Sequence, residues 1–84
     1  MVFGAGTSSC ATWLATEADE AAGSNWLLGF WSGSNVRNSN GLVGRSTDYL
    51  GVIAIAKKDC LEDPAATLVT VAIRTYNRFA SEGR

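Results

Sequence analysis

The chain has no histidine and few charged residues. Both shortages limit the reactions that it could catalyse and the ligands that it could bind. Its 84 residues include one proline, and charged residues make up 18% of the total. Without histidine, a Ser–His or Cys–His nucleophilic pair cannot form. The eight carboxylates are scattered and are explained as helix caps or solvated helix faces, so they do not indicate an acid–base pair. The sequence therefore predicts a protein that is not an enzyme.

The charged residues do not indicate a binding site for a nucleic acid or for a metal ion. Seven basic and eight acidic residues give a formal net charge of −1. A phosphate backbone is bound through clustered lysine and arginine, which release its counterions, and this chain has no such cluster. Two cysteines without histidine do not make a convincing zinc site. We expect no nucleic-acid partner, no metal and no cofactor.

Long hydrophobic runs are missing as well. The most apolar stretch, residues 26–31, is six residues long and is flanked by serine and asparagine, whereas a membrane-spanning helix needs about 20 apolar residues. No membrane insertion is expected. The chain also begins without the basic and apolar regions of a secretory signal. We interpret Met1 as added for expression and expect that an export signal was removed from this sequence.

The two cysteines, Cys10 and Cys60, lie fifty positions apart. They form either one disulfide or two buried thiols, and in so small a chain we favour the disulfide. Closing a loop of this size adds about 4 kcal/mol on the chain-entropy model. That contribution matters because a chain of this length buries only roughly 60–65% of its unfolded surface. A disulfide would imply an oxidising compartment.

Hydrophobic periodicity predicts an all-α, bundle-like domain of four helices. A single domain over residues 1–84 is expected, with residues 1–7 flexible. The predicted helices span 10–22, 26–33, 48–60 and 64–80, with a break at Gly23 and a polar loop over 34–47. The apolar stripe of the third helix is predicted to consist of Tyr49, Val52, Ile53, Ala56 and Cys60. Caps are expected at Ser24 or Asn25, at Ser46 or Thr47, and at Asp63, with Pro64 in the first turn of the fourth helix.

The second predicted helix is the most aromatic part of the chain. Trp26, Phe30 and Trp31 follow the spacing of one helical face. Gly29 and Gly33 lie four residues apart, and a glycine inside a helix costs about 1 kcal/mol relative to alanine. We expect the close approach of a neighbouring helix to offset this cost. The two tryptophans are about 140° apart around the helix, and the more outward one would mark a dimer seam or a partner surface.

The polar loop contains two apolar residues, Leu42 and Val43, which we expect to pin its middle to the core. Exposed apolar and aromatic side chains are typical of surfaces that bind other proteins. Together with Trp26, Phe30 and Trp31, these two residues form the predicted interaction surface.

Several short stretches carry a resemblance to a known family. They are SCATWL at residues 9–14, GF at 29–30, DYLGVIAIAKKDC at 48–60 and the aromatic C-terminal helix. This combination resembles the HdeA-like proteins over about residues 9–80. The resemblance implies a Cys10–Cys60 disulfide, a compact α-helical fold and a periplasmic location.

The resemblance also implies a function. The best known HdeA-like proteins are acid-stress chaperones that loosen in acid, expose apolar surface and keep other proteins from aggregating. These proteins are commonly dimeric at neutral pH, so the resemblance allows a homodimer for this chain as well as a monomer. Related small periplasmic domains serve as immunity proteins, so the fold alone does not fix the function. We therefore expect a non-enzymatic protein that binds other proteins under stress, with an interaction module such as an inhibitor or immunity protein as the alternative.

Overall fold

The computed structural model describes residues 1–38 and 41–84, and these residues form four α-helices and one short 3-10 helix. No strand occurs within these two ranges. The all-α prediction is confirmed. The 3-10 helix is Gly4–Thr7, and the α-helices are α1 (Cys10–Trp13), α2 (Glu17–Arg37), α3 (Tyr49–Glu62) and α4 (Leu68–Ser81).

The first helical break lies at residues 14–16, so the predicted break at Gly23 is wrong. The Thr16 hydroxyl caps α2 by accepting a hydrogen bond from the Asp19 backbone N–H at 3.1 Å, and it donates to the Asp19 carboxylate at 3.0 Å. Gly23 lies buried in the interior of α2, where the Trp13 indole occupies the space that a Cβ would need. The glycine at this position therefore serves packing and does not end the helix.

The start of α3 lies close to its predicted position, but the cap differs from the prediction. The Asp48 side chain caps this helix by accepting from the Gly51 N–H at 2.9 Å. Ser46 and Thr47, the expected caps, lie in the turn that precedes it. An aspartate at this position also places negative charge at the positive end of the helix dipole.

The fourth helix begins later than predicted. Asp63 is the C-cap of α3, and Thr67 caps α4 by accepting from the Thr70 N–H at 3.3 Å. Backbone carbonyls between α3 and α4 accept hydrogen bonds from the N-terminal segment. The Cys10 N–H, for example, donates to the Ala66 carbonyl at 2.8 Å. The predicted cap at Asp63 is therefore wrong, because residues 64–67 pair with residues 8–11 and are not helical.

The disulfide between Cys10 and Cys60 joins α1 to the last turns of α3 and confirms the predicted bond. Both cysteines are fully buried. The disulfide and the backbone pairing of residues 8–11 with residues 64–68 hold the N-terminal segment against α3 and α4. The core around them consists of Trp13, Leu27, Trp31, Val43, Val52, Ala56, Leu68, Val71, Ala72, Tyr76 and Phe79.

The helix contact expected at Gly29 and Gly33 is absent. Both glycines are exposed on α2, and a Cβ added at either would meet no atom within 4 Å. That prediction is wrong, because nothing packs against these two glycines, whereas three other glycines lie against tryptophan rings and Gly51 lies against Thr47. The pairs are Gly6 with Trp26, Gly23 with Trp13, and Gly44 with Trp31.

Candidate interaction surfaces

A row of aromatic rings runs from the surface into the core. At its outer end Trp26 stacks on Phe30, with ring centroids 5.5 Å apart. Phe30 meets the edge of Tyr76 at 6.4 Å, and Tyr76 meets Trp31 at 5.1 Å. Trp31 then contacts Phe79 at 5.2 Å. Edge-to-face and offset contacts of this kind each stabilise a fold by roughly 1 kcal/mol beyond burial.

Two residues of the predicted interaction surface lie inside the core. Trp31 is 5% exposed and Val43 is 7% exposed. The Trp31 indole N–H donates to the Val43 carbonyl at 2.8 Å, and Gly44 leaves the space that the ring occupies. The expectation that Leu42 and Val43 pin the loop to the core therefore describes Val43. In the folded chain the side chains of Trp31 and Val43 are not accessible to a partner.

Leu42 is half exposed and lies beside the end of the chain. It lines a small cavity with Phe79 and Arg84. The Arg84 guanidinium stacks on the Phe79 ring, 4.1 Å from its centroid. The Arg84 carbonyl oxygen accepts from the Gly44 N–H at 3.0 Å, which attaches residues 41–47 to the end of α4. Leu42 therefore stays half exposed beside a segment that is fixed to the C-terminal residues.

Trp26 is the more outward of the two tryptophans in α2, and the N-terminal segment covers it. The Trp26 indole N–H donates to the Phe3 carbonyl at 2.9 Å. Gly6 is buried against the indole ring, with no room for a Cβ. Phe30, one turn further along α2, is also partly buried. Of the predicted surface residues, Trp26 and Phe30 are thus brought together at the edge of the core.

Three large apolar side chains of α3 are exposed, and sequence reasoning missed two of them and misplaced the third. Tyr49 and Leu50 are each 60% exposed, and Leu61 is 71% exposed. Tyr49 was expected in the core stripe, and that prediction is wrong because the first turn of α3 is left uncovered. The signal was present in the sequence, since residues 49–56 contain no charged side chain on any side of the helix. We call Tyr49, Leu50 and Leu61 the α3 outer face.

An ion pair holds α3 against α2. Lys57 Nζ lies 2.8 Å from the Glu20 carboxylate, which also accepts from the Ser24 hydroxyl at 2.8 Å. The hydrogen bond from Lys57, aided by that from Ser24, holds the pKa of Glu20 below its ordinary value of 4.5. Glu20 therefore stabilises the fold above about pH 4.5, and this contribution is lost as the pH falls through its folded pKa.

Two further carboxylates attach α3 to α4. Asp59 accepts from the buried Thr75 hydroxyl at 2.6 Å and from both terminal nitrogens of Arg78, at 2.9 and 3.3 Å. Asp63, at the end of α3, pairs with Arg74 at 3.0 Å. Thr75 is fully buried, so Asp59 satisfies a hydroxyl that has no access to water. Every ion pair that joins two helices in the described residues thus has one partner on α3 or at its C-cap.

The described residues contain no group of three or more histidine, cysteine or carboxylate side chains that could hold a metal ion. None of their helices is both long enough and apolar enough to cross a bilayer. A disulfide is consistent with an extracytoplasmic compartment. In the comparisons with known proteins, no family model, no curated protein and no solved structure matches this chain.

Proposed function

We propose that this chain is an HdeA-like, non-enzymatic protein of the periplasm that binds other polypeptides when acid loosens its fold. The observation that supports the proposal most strongly is the way in which α3 is held. Carboxylates attach this helix to its neighbours, at Glu20 on α2 and through Asp59 and Asp63 to α4. The helix so held is the one with an exposed apolar outer face.

Acid acts on these attachments together. Protonating a carboxylate removes its charge and weakens its ion pairs, while lysine and arginine keep theirs. Protonation of all eight carboxylates would change the net charge from −1 to about +7. Lys57, Arg74 and Arg78 then lose their counter-charges at the boundaries of α3. Self-repulsion of this kind favours an expanded state and keeps it soluble.

We expect the disulfide to limit which part of α3 is released. Cys60 near the end of the helix stays bonded to Cys10, so acid cannot release that end. The ion pairs that acid weakens lie at residues 57–63, beside this crosslink, so their loss would let the helix pivot about Cys60. The first two turns lie farthest from the crosslink, and residues 49–56 carry no charge that could hold them in place. Release of these turns would add the buried Val52 and Ala56 to the apolar surface already formed by Tyr49 and Leu50. A helix that is apolar on all sides suits binding to unfolded polypeptides of varied sequence.

The proposal is tested by aggregation of an unrelated enzyme at pH 2–3, followed by light scattering with and without this protein. We expect suppression in acid and none at pH 7. Leu50→Ser and Leu61→Ser should weaken suppression, because they remove apolar area from the α3 outer face. Val36→Ser is the matched control, since Val36 is 85% exposed on α2, outside that face. No suppression by the wild-type chain, with its compact fold retained in acid, would refute the proposal.

A further inference from the structure

An open groove lies between the C-terminal half of α2 and the middle of α4. Two rings of the aromatic row, Phe30 and Tyr76, line it. Its volume is about 430 Å³. Phe30 and Ile73 supply its apolar surface, and Ile73 is 46% exposed. Ser34, Arg37 and Asn77 supply polar groups along its rim. The groove combines apolar area with a few polar groups, as ligand sites in proteins do.

One wall of the groove is fixed by a hydrogen-bond network. The Tyr76 hydroxyl donates to the Asn35 side-chain oxygen at 2.9 Å and accepts from the Asn38 amide at 3.4 Å. Tyr76 is also held by ring contacts with Phe30 and Trp31. These contacts satisfy the Tyr76 hydroxyl internally and hold the ring in place. The groove is therefore formed before any ligand arrives, which reduces the ordering cost of binding.

The charge of the groove is unbalanced. Arg37 is the one ionisable side chain, other than the Tyr76 phenol, among the residues that line it, and no carboxylate lies there. Within residues 1–38 and 41–84, Arg37 makes no ion pair. In contrast, Lys57, Arg74, Arg78 and Arg84 each pair with a carboxylate. The groove is thus complementary to an anion, and a guanidinium binds a carboxylate through strong charge-assisted hydrogen bonds.

We infer that this groove binds an extended segment of a partner polypeptide that carries a carboxylate about three residues from a large apolar side chain. Phe30 and Arg37 are seven positions apart on α2, which corresponds to about 10 Å along the helix, the length of about three extended residues. The apolar side chain would lie on Phe30 and Ile73, and the carboxylate would reach Arg37. The amide and hydroxyl groups of Asn77 and Ser34 are suited to the backbone between them.

This inference goes beyond the proposed function, because it concerns the folded chain at neutral pH and does not require release of α3. It is tested by titrating the ¹⁵N-labelled protein at pH 7 with the blocked octapeptide acetyl-GSFSGESG-amide and following amide chemical shifts. We expect saturable shifts around Phe30, Arg37 and Ile73. A peptide with lysine in place of its glutamate should bind about tenfold more weakly, as loss of one charge-assisted contact implies.

A charge exchange provides the decisive comparison. Arg37→Glu should reverse the preference, so that the lysine peptide binds better than the glutamate peptide. Arg45→Glu is the matched control, since Arg45 is exposed, outside the groove and without an ion pair in the described residues, and it should leave both affinities unchanged. Thermal denaturation shows whether each variant is folded. If Arg37→Glu does not fold, Arg37→Gln replaces it, and this variant should bind the glutamate and lysine peptides equally well.

Three results would overturn the inference. The first is the absence of saturable shifts in the groove at millimolar peptide, or shifts confined to Tyr49, Leu50 and Leu61. The second is an unchanged preference for the glutamate peptide in Arg37→Glu and Arg37→Gln. The third is tight binding of 3-phenylpropionate at the same residues with no gain from the peptide, which would identify a small carboxylate as the ligand. None of these results depends on suppression of aggregation in acid.

Discussion

Replacing the two exposed glycines of α2 with alanine should stabilise the fold. Gly29 and Gly33 have negative φ, lie in the helix interior and have open space where a Cβ would be placed. Alanine is favoured over glycine at such positions by about 1 kcal/mol, because it restricts the unfolded chain. Each replacement should raise the Tm by about 5 °C in a domain of this size. The double variant should be stabilised by about 2 kcal/mol.

Gly23→Ala is the matched comparison within the same helix. It gains the same helix propensity, but its Cβ would overlap the Trp13 indole. The ring would have to move, and its hydrogen bond to the Glu20 carbonyl, 3.0 Å in length, would be disturbed. Overpacking of a core typically costs about 1–3 kcal/mol. We therefore expect Gly23→Ala to be destabilising even though alanine is the better helix former.

Thermal and urea denaturation at pH 7, followed by circular dichroism, measure these differences. The result that would refute the reasoning is destabilisation by Gly29→Ala or Gly33→Ala. Repeating the measurement over a range of protein concentrations identifies the cause. If the outer side of α2 is a dimer seam, the wild-type Tm rises with concentration and the alanine variants lose that dependence. A monomer with a free α2 face shows no concentration dependence in any variant.

Three further perturbations have defined outcomes. Replacing Cys10 and Cys60 with alanine should lower the free energy of unfolding by about 4 kcal/mol, for a crosslink that spans 50 positions, as measured by urea denaturation. Asp59→Ala should cost about 1–3 kcal/mol, because it leaves the buried Thr75 hydroxyl without its acceptor. Asp59→Asn keeps an acceptor oxygen and should cost less; equal losses in the two variants would contradict this. Glu20→Gln should reduce the dependence of stability on pH below about 4.5, because the lowered pKa of Glu20 makes its contribution disappear in acid. An unchanged stability profile between pH 3 and 7 would contradict that assignment.

Patterns that depend on local periodicity identified the helical class and most of the core. The spacing of apolar residues in α4 predicts a buried face of Leu68, Val69, Ala72, Ile73, Tyr76, Phe79 and Ala80. Leu68, Ala72, Tyr76 and Phe79 are buried, whereas Ile73 and Ala80 are exposed. The small size of the chain and its cysteine pair also favoured the disulfide that is found. These features could be predicted because the helical period, the buried face and the cysteine pair can each be read from the order of residues.

Features that depend on packing between distant residues could not be predicted in this way. Gly23 looks like a helix stop until Trp13 is placed over it, since the two are ten positions apart in sequence. The late start of α4 depends on backbone pairing with residues 8–11. Gly29 and Gly33 were also misjudged, because only the folded chain defines their surroundings. Ser39 and Asn40, which belong to the predicted loop, lie outside the described residues.

The candidate site was predicted in part. Trp26 and Phe30 do lie together at the edge of the core, whereas Trp31 and Val43 are buried. The α3 outer face escaped detection because a helical period places Tyr49 on the inner side. Whether the end of a helix is covered depends on the lengths of its neighbours, and the period does not contain that information. The groove at Arg37 was missed for a similar reason, since it is formed by residues from both α2 and α4.

The proposed release of α3 in acid is tested most directly by amide hydrogen exchange, measured at pH 3 and pH 7 and corrected for the intrinsic exchange rates. We predict that amides of residues 52–56 lose protection at pH 3, while amides near Cys60 and in the middle of α4 keep much more of theirs. Equal protection of α3 and α4 at both pH values would contradict the proposed opening. Uniform loss across the whole chain would also contradict it, because acid would then unfold the protein without a selective release of α3.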